Sequence, residues 1–201
     1  MTRPKLTYFD APASRGEECR LALHLSGVDF EDHRLKPAEW AALKPHTPFG
    51  ALPTFELPGH PVLAQTNAIL VLIGRKHGLH PKDDLEAARH EAMMHHVEDL
   101  RVEIGRTLRM NDDDKKRTRT AIAETTLPAW AANAEKQLAG GPFFAGDKLH
   151  VVDLKLFVMI RWLAGGKLDH IPADIITRYP KLIRVHDSVR DHAGVKAWYA
   201  R

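Results

Sequence analysis

The sequence predicts two unlike parts in one chain, a small α/β unit followed by an all-helical one. Three observations predict it. Over about the first eighty residues, short apolar strand-like runs alternate with helical periods; residues 78–84 then read as a linker; beyond them every strong hydrophobic period is helical. Residues 5–9 form the first strand, which breaks at Asp10-Ala11-Pro12-Ala13-Ser14-Arg15-Gly16. A helix follows over 17–26, with Cys19, Ala22, Leu23 and Ser26 along one face and Gly27 as its stop. Residues 28–35 give a second strand and complete a β-α-β opening. The helical signal over 38–43 is short. Residues 52–57 are a third strand, turned by Pro58-Gly59-His60-Pro61 into Val62-Leu63 as a hairpin. A helix over 66–77 closes at Gly78.

In the second part Met93, Val97, Leu100, Ile104 and Leu108 keep three-and-four spacing, and Asp83-Asp84-Leu85-Glu86 has the shape of a capping box. Asp112-Asp113-Asp114 opens a helix predicted to run to about 138, kinked at Pro128. Residues 151–163 are apolar nearly all round, which predicts a buried central helix. Helices over 180–192 and 195–201 finish the chain.

Composition narrows the function classes. The chain has 201 residues, 44% hydrophobic and 27% charged, as in a globular domain or two. Its 29 Lys+Arg against 26 Asp+Glu leave +3, too mild for a nucleic-acid footprint, and no stretch interleaves basic and aromatic residues. No apolar run is long enough to cross a bilayer, and Met1-Thr2-Arg3-Pro4 has no signal-peptide core. The single cysteine fits a reducing compartment, so the expectation is a soluble cytoplasmic protein.

Tyr8 is the only tyrosine in the first 178 residues and stands at the exit of the first strand, facing the start of a helix. There a phenol can donate to an incoming anion, and the helix N-terminus adds free N–H groups and positive potential. A plain structural tyrosine fits the same placement. Pro53, after an apolar residue at the start of a strand, is where a cis peptide costs least, although a trans proline opening a strand is equally ordinary chemistry. Thr66 precedes the apolar face of Ile69, Leu70, Leu72 and Ile73, which makes it an N-cap and its helix start a carboxylate site, or a cap with no ligand. Trp40 and Lys44, four apart, share a helix face, where an indole N–H and an ammonium together suit a carboxylate, or where the indole simply packs and the ammonium is solvated.

These segments resemble the glutathione transferases, and within them the sigma-like class that includes the glutathione-dependent prostaglandin D synthases. The likeness is carried by Leu52-Pro53-Thr54-Phe55-Glu56 followed by Leu63-Ala64-Gln65-Thr66-Asn67-Ala68-Ile69-Leu70. Leu6-Thr7-Tyr8-Phe9, Glu39-Trp40-Ala41-Ala42-Leu43-Lys44-Pro45, Pro48-Phe49-Gly50 and Glu98-Asp99-Leu100-Arg101 agree with it. It extends more loosely through Ala145-Gly146-Asp147 and Tyr179-Pro180-Lys181-Leu182. The resemblance implies a thioredoxin-like glutathione-binding domain over residues 1–79. It implies a helical domain over 85–201 that contributes a hydrophobic pocket and the contacts of a homodimer.

It also implies roles. Tyr8 and Arg15 are the catalytic pair acting on the glutathione sulfur. Leu52, before a cis Pro53, pairs with the cysteinyl part of the tripeptide; Gln65 and Thr66 take the γ-glutamyl end, and Trp40 and Lys44 the glycine carboxylate. Asp99 approaches the glutathione amino group of the neighbouring subunit. Phe9, Ala13, Ile104 and Leu108 are placed by position at the second-substrate pocket, although Ile104 and Leu108 read first as core residues. The implied reaction is addition of glutathione to a small hydrophobic electrophile by alkyl or aryl transfer. Peroxide reduction or isomerisation at the same site, or glutathione binding without turnover, are the alternatives.

Two departures from the family pattern carry expectations of their own. Ala11-Pro12-Ala13 makes the loop between Tyr8 and Arg15 one residue longer, which bears on where Arg15 falls. His150 replaces the family's Ser or Thr ahead of Asp153, a weaker cap. Other signals point elsewhere only faintly. Cys19 has no CxxC partner and lies on an apolar face, as a small buried hydrophobe does. His90-Glu91-Ala92-Met93-Met94 opens like a zinc-protease helix, but Met94 fills the second ligand position. His95 and His96 point to different faces, and Asp112-Asp113-Asp114 before Lys115-Lys116-Arg117 is a charged helix start. No metal is expected.

Overall fold

The structure, a computed structural model, describes residues 3–201; Met1 and Thr2 of the segment read for a signal-peptide core lie outside the described residues. A four-stranded sheet in the order β2-β1-β3-β4 organises the first part. β1 (Lys5–Phe9) runs parallel to β2 (Glu31–Leu35) and antiparallel to β3 (Thr54–Glu56), which pairs in turn with the short β4 (Leu63–Ala64). The β1–β3 pairing runs Lys5 with Glu56, Leu6 with Phe55 and Thr7 with Thr54, so the next position, Tyr8, comes level with Pro53. That register brings the end of β1 beside the start of the proline-led strand.

α1 (Ser14–Leu25) and α3 (Thr66–His77) pack against each other beside this sheet, while α2 (Pro37–Leu43) buries no residue fully. α1 begins three residues earlier than its apolar period predicts, because Ser14 enters it with φ +60 directly from the loop. Helix α3 ends at Gly78, whose φ of +72 gives the left-handed turn that a Cβ would oppose. The linker is not loose: Val151 N–H donates to the Leu79 carbonyl at 2.9 Å, and His80 is buried.

α4 (Asp84–Arg106) is capped by Asp83, whose side chain accepts from the Glu86 N–H at 2.9 Å. The helix predicted from Asp112 is two, α5 (Asp112–Ala121) and α6 (Leu127–Gln137), joined by a π-helical turn at Ile122–Thr126. Pro128 has no N–H to give an i−4 carbonyl, and the wider turn absorbs the defect. α7 (Val151–Ala164) is buried along almost its whole length, and α8 (Pro180–Asp191) packs on it. α9 (Ala193–Tyr199) returns to the first part, where Trp198 Nε1 donates to Glu17 Oε1 at 2.8 Å. Among the described residues no helix is long and apolar enough to cross a membrane.

His150 does not cap α7 through its ring. Asp153 does the work in reverse, accepting from the N–H groups of His150 (2.8 Å) and Phe144 (2.6 Å). The imidazole instead packs edge-on to His90 at 4.9 Å between centroids, and His90 meets His80 at 6.0 Å. Burial first, then the neighbouring rings and Arg89, hold His90 down to about 3; burial likewise lowers His80 and His150. An unfolded histidine takes its proton near pH 6.5, so below that pH the unfolded chain binds more protons and stability falls. Burial pushes Asp153 up to about 7, which has the opposite sign, a contribution lost as pH rises through 7. The expected outcome is a melting temperature that drops between pH 6.5 and 5, with His90 contributing up to ~1.4 kcal/mol of lost stability per pH unit, His80 and His150 adding in the same direction and Asp153 offsetting part of the loss. His90→Phe should flatten that drop; an identical slope in the variant removes His90 from the acid response.

Candidate functional site

Three elements meet where β1 ends: the N-terminus of α1, the Leu52–Pro53 segment before β3, and the N-terminus of α3. A cleft of about 1110 Å³ opens there toward α4, and Arg15, Leu52, Gln65 and Thr66 all line it. The Leu52–Pro53 peptide is cis. Gln65 holds φ +72 and ψ 113, a conformation disfavoured for a residue with a Cβ and found where surrounding structure enforces it. Leu63, Val71, Leu72 and Val102 give the cleft apolar walls, and Glu91, His95 and Glu98 of α4 give it a polar one.

Tyr8 is 8% exposed, with its ring against α1. A Cβ at Gly16 would lie 2.1 Å from Tyr8 Cδ1, so only glycine lets the helix approach the ring. Phe9 meets the ring edge-on at 5.6 Å, and Arg20 Cζ lies 6.0 Å from its centroid. The phenol makes no hydrogen bond among the described residues, nor is it one of the sealed buried polar atoms that lack a partner. Tyr8 is not part of the cleft lining itself. The longer loop is tied down by Arg20, which donates to the carbonyls of Ala11 (2.8 Å) and Phe9 (3.1 Å) and to Asp32 (2.8 Å). Arg15 therefore lines the cleft despite the extra residue, and its Nε and Nη2 reach Glu98 Oε2 at 2.9 and 2.7 Å.

Several sequence expectations need correction. Gln65, not Thr66, is the N-cap of α3. Thr66 is buried within its first turn, and its hydroxyl turns toward the Arg15 carbonyl (3.4 Å), Glu18 Oε2 (3.4 Å) and Cys19 Sγ (3.6 Å). The helix begins at Thr66 itself, as its apolar period indicates, so the capping position falls one residue earlier. Ile104 is wholly buried, in keeping with its reading as a core residue, but Leu108 is not core: it is 64% exposed on a 3-10 turn beyond α4, and neither is among the residues lining the cleft. Helix α4 stops at Arg106, which takes Leu108 off its apolar stripe.

Phe9, Ala13, Trp40, Lys44 and Asp99 also stand outside the lining. Phe9 meets Trp40 at 6.0 Å, the Lys44 stem lies over Gly50, Ala13 is exposed ahead of α1, and Asp99 is exposed on α4. Cys19 is fully buried, and burial pushes its thiol up to about 12, the behaviour of a packing residue.

The sequence reading missed the charges beneath the cleft. Glu18 of α1, Glu98 and Arg101 of α4, and Lys155 of α7 form one ion-paired cluster. Burial would raise the Glu98 carboxyl, but Lys155, Arg101 and Arg15 overcome it and hold it down to about 2. A signal was present: Glu18 and Lys155 are charges placed inside otherwise apolar helical faces.

Comparison with known proteins agrees along the whole chain. Residues 4–75 match the family model described as glutathione S-transferase, N-terminal domain, and residues 98–201 the one described as glutathione S-transferase, C-terminal domain. The sequence is 34% identical to Glutathione S-transferase 1 of Ascaris suum, covering 100% of this chain and 97% of the relative. It is 29% identical to hematopoietic prostaglandin D synthase of Gallus gallus, covering 98% and 96%. Among solved structures, prostaglandin synthase D of Nilaparvata lugens superposes with a TM-score of 0.88 at 27% identity, covering 99% and 98%.

Proposed function

Because the chain belongs to the glutathione S-transferase family, we propose that it binds glutathione in the cleft beside β1 and adds its thiolate to small hydrophobic electrophiles. The observation that carries this is the convergence of Arg15, Leu52, Gln65 and Thr66 on one cleft whose edge lies level with Tyr8. Leu52 offers backbone to the cysteinyl part, while Gln65 and the start of α3 receive the γ-glutamyl carboxylate. Trp40 and Lys44, on one face of α2 and the turn after it, take the glycine carboxylate.

A free thiol has a pKa near ~8.5, so little of it is ionised at neutral pH. The Tyr8 hydroxyl, without a hydrogen-bond partner among the described residues, donates to the sulfur. Arg15 and the N-terminus of α1 add positive potential. A two-unit lowering of the thiol corresponds to about 2.7 kcal/mol. The thiolate then attacks an electrophilic carbon held beside it, forming the carbon–sulfur bond as the leaving group departs or the double bond takes up a proton.

The N-terminal domain, residues 1–79, carries the tripeptide; the helical domain, 85–201, supplies the second-substrate wall and the contacts of a homodimer. Asp99, exposed on α4, reaches the neighbouring site. A cytoplasmic setting suits the single, free, buried Cys19. The prostaglandin D synthase likeness favours a second reading, isomerisation by the same thiolate. Calorimetric titration with glutathione, then assays with an aryl halide, an endoperoxide and a hydroperoxide, tests these readings. Saturable binding and aryl conjugation are expected. Binding without turnover of any of the three makes the protein a glutathione-binding module, and no binding at millimolar glutathione removes the function altogether.

A further inference from the structure

Lys155 sits in the middle of the most apolar helix of the molecule with a side chain that is 0% exposed. A buried ammonium is costly unless several carboxylates receive it. Here two do. Nζ lies 2.5 Å from Glu98 Oε1 and 3.1 Å from Glu18 Oε2. Arg101 joins from α4, donating to Glu98 Oε1 at 2.6 Å and to Glu18. Glu98 thus has one oxygen held from inside by Lys155 and Arg101, and the other turned outward to the fork of Arg15. Glu18 Oε2, the other acceptor of Lys155, also accepts from the Thr66 hydroxyl at 3.4 Å. The cluster links α1, α4 and α7 and reaches the cleft lining at Glu98 itself, at Arg15 and at Thr66.

Resting on the function proposed above, we propose that Lys155 is a positioning residue for glutathione activation, acting through Glu98 to hold the Arg15 guanidinium at the cleft. Arg15, Arg101 and Lys155 against Glu18 and Glu98 leave the cluster one positive charge in excess, directly under the place where a thiolate forms. Removing Lys155 does two things at once. Glu98 is freed to swing with Arg15, and the excess charge disappears. Both disfavour the thiolate.

The test uses the full chain. Lys155→Met is expected to raise the pKa of bound glutathione, read from thiolate absorbance, by about one unit. Conjugation at neutral pH should fall about tenfold and recover at alkaline pH, and Lys155→Arg should restore the parent profile. A purely structural lysine would lower the melting temperature and leave the bound-thiol pKa alone, which overturns the proposal. A second readout needs no ligand. The Nε–H signal of Arg15 in nitrogen-edited NMR should be protected from exchange in the parent and lose protection in Lys155→Met. If Lys155→Met does not fold, the same signal in Glu98→Gln decides: an unchanged, protected Arg15 shows that nothing passes through Glu98. Should the parent fail to bind glutathione, the functional reading falls by itself, while the Arg15 signal still judges the coupling.

Discussion

Tyr8→Phe is expected to melt within about 0.5 kcal/mol of the parent stability and to conjugate glutathione about ten- to a hundredfold more slowly at neutral pH. The two halves of that outcome come from one observation. The phenol makes no hydrogen bond among the described residues, so deleting its oxygen breaks none of theirs, and the ring that fills the space against Gly16 is retained. What is lost is the donor to the sulfur. A hydrogen bond to a charged group contributes roughly 1.5–3 kcal/mol, which sets the size of the rate effect. The bound thiol should titrate higher, so the deficit should shrink as pH rises. Stopped-flow conjugation across pH and the thiolate absorbance measure it. An unaltered rate with an unaltered thiol pKa would remove Tyr8 from the mechanism.

Gly16→Ala should have the largest effect on the fold near the site. The added methyl would sit 2.1 Å from Tyr8 Cδ1 and 2.7 Å from Tyr8 Cβ, far inside contact distance. Either α1 retreats from the sheet or the ring is driven out of place. Overpacking of this kind costs about 1–3 kcal/mol, or roughly 2–12 °C in melting temperature for a chain of this size. Activity should fall at least as far as in Tyr8→Phe, because the phenol moves as well. The cause is checked with a double-mutant cycle: in a Tyr8→Ala background the same Gly16→Ala change should lose most of its cost. If Gly16→Ala costs as much without the ring as with it, the strain lies elsewhere in α1.

The sequence was most legible where one element makes the feature alone. The strand at Tyr8, the buried helix from Val151 and the stop at Gly78 are written in local periodicity and turn chemistry, and the structure has each of them. The capping of α7 was half legible. His150 is a poor cap on its own chemistry, but that it joins His80 and His90 in a buried ring cluster depends on chain folded from three separate places. Helix ends were legible only to within a few residues: Thr66 as cap assumed a helix that starts one residue later than it does, and Leu108 as an apolar stripe position assumed one that runs on past Arg106.

By itself the sequence determined the two-part architecture, the strand that carries Tyr8, the cis-prone Pro53 and, through matching words, the family. These follow from hydrophobic period, from backbone preference and from residues adjacent in the chain. Only the tertiary structure decided that Glu18, Glu98, Arg101 and Lys155 meet beneath the cleft, and that Arg15 is held by them. The physical reason is range. A charge buried in a helix looks like a defect until its partners arrive from elements as many as 137 residues away, and burial then turns a costly group into a fixed one.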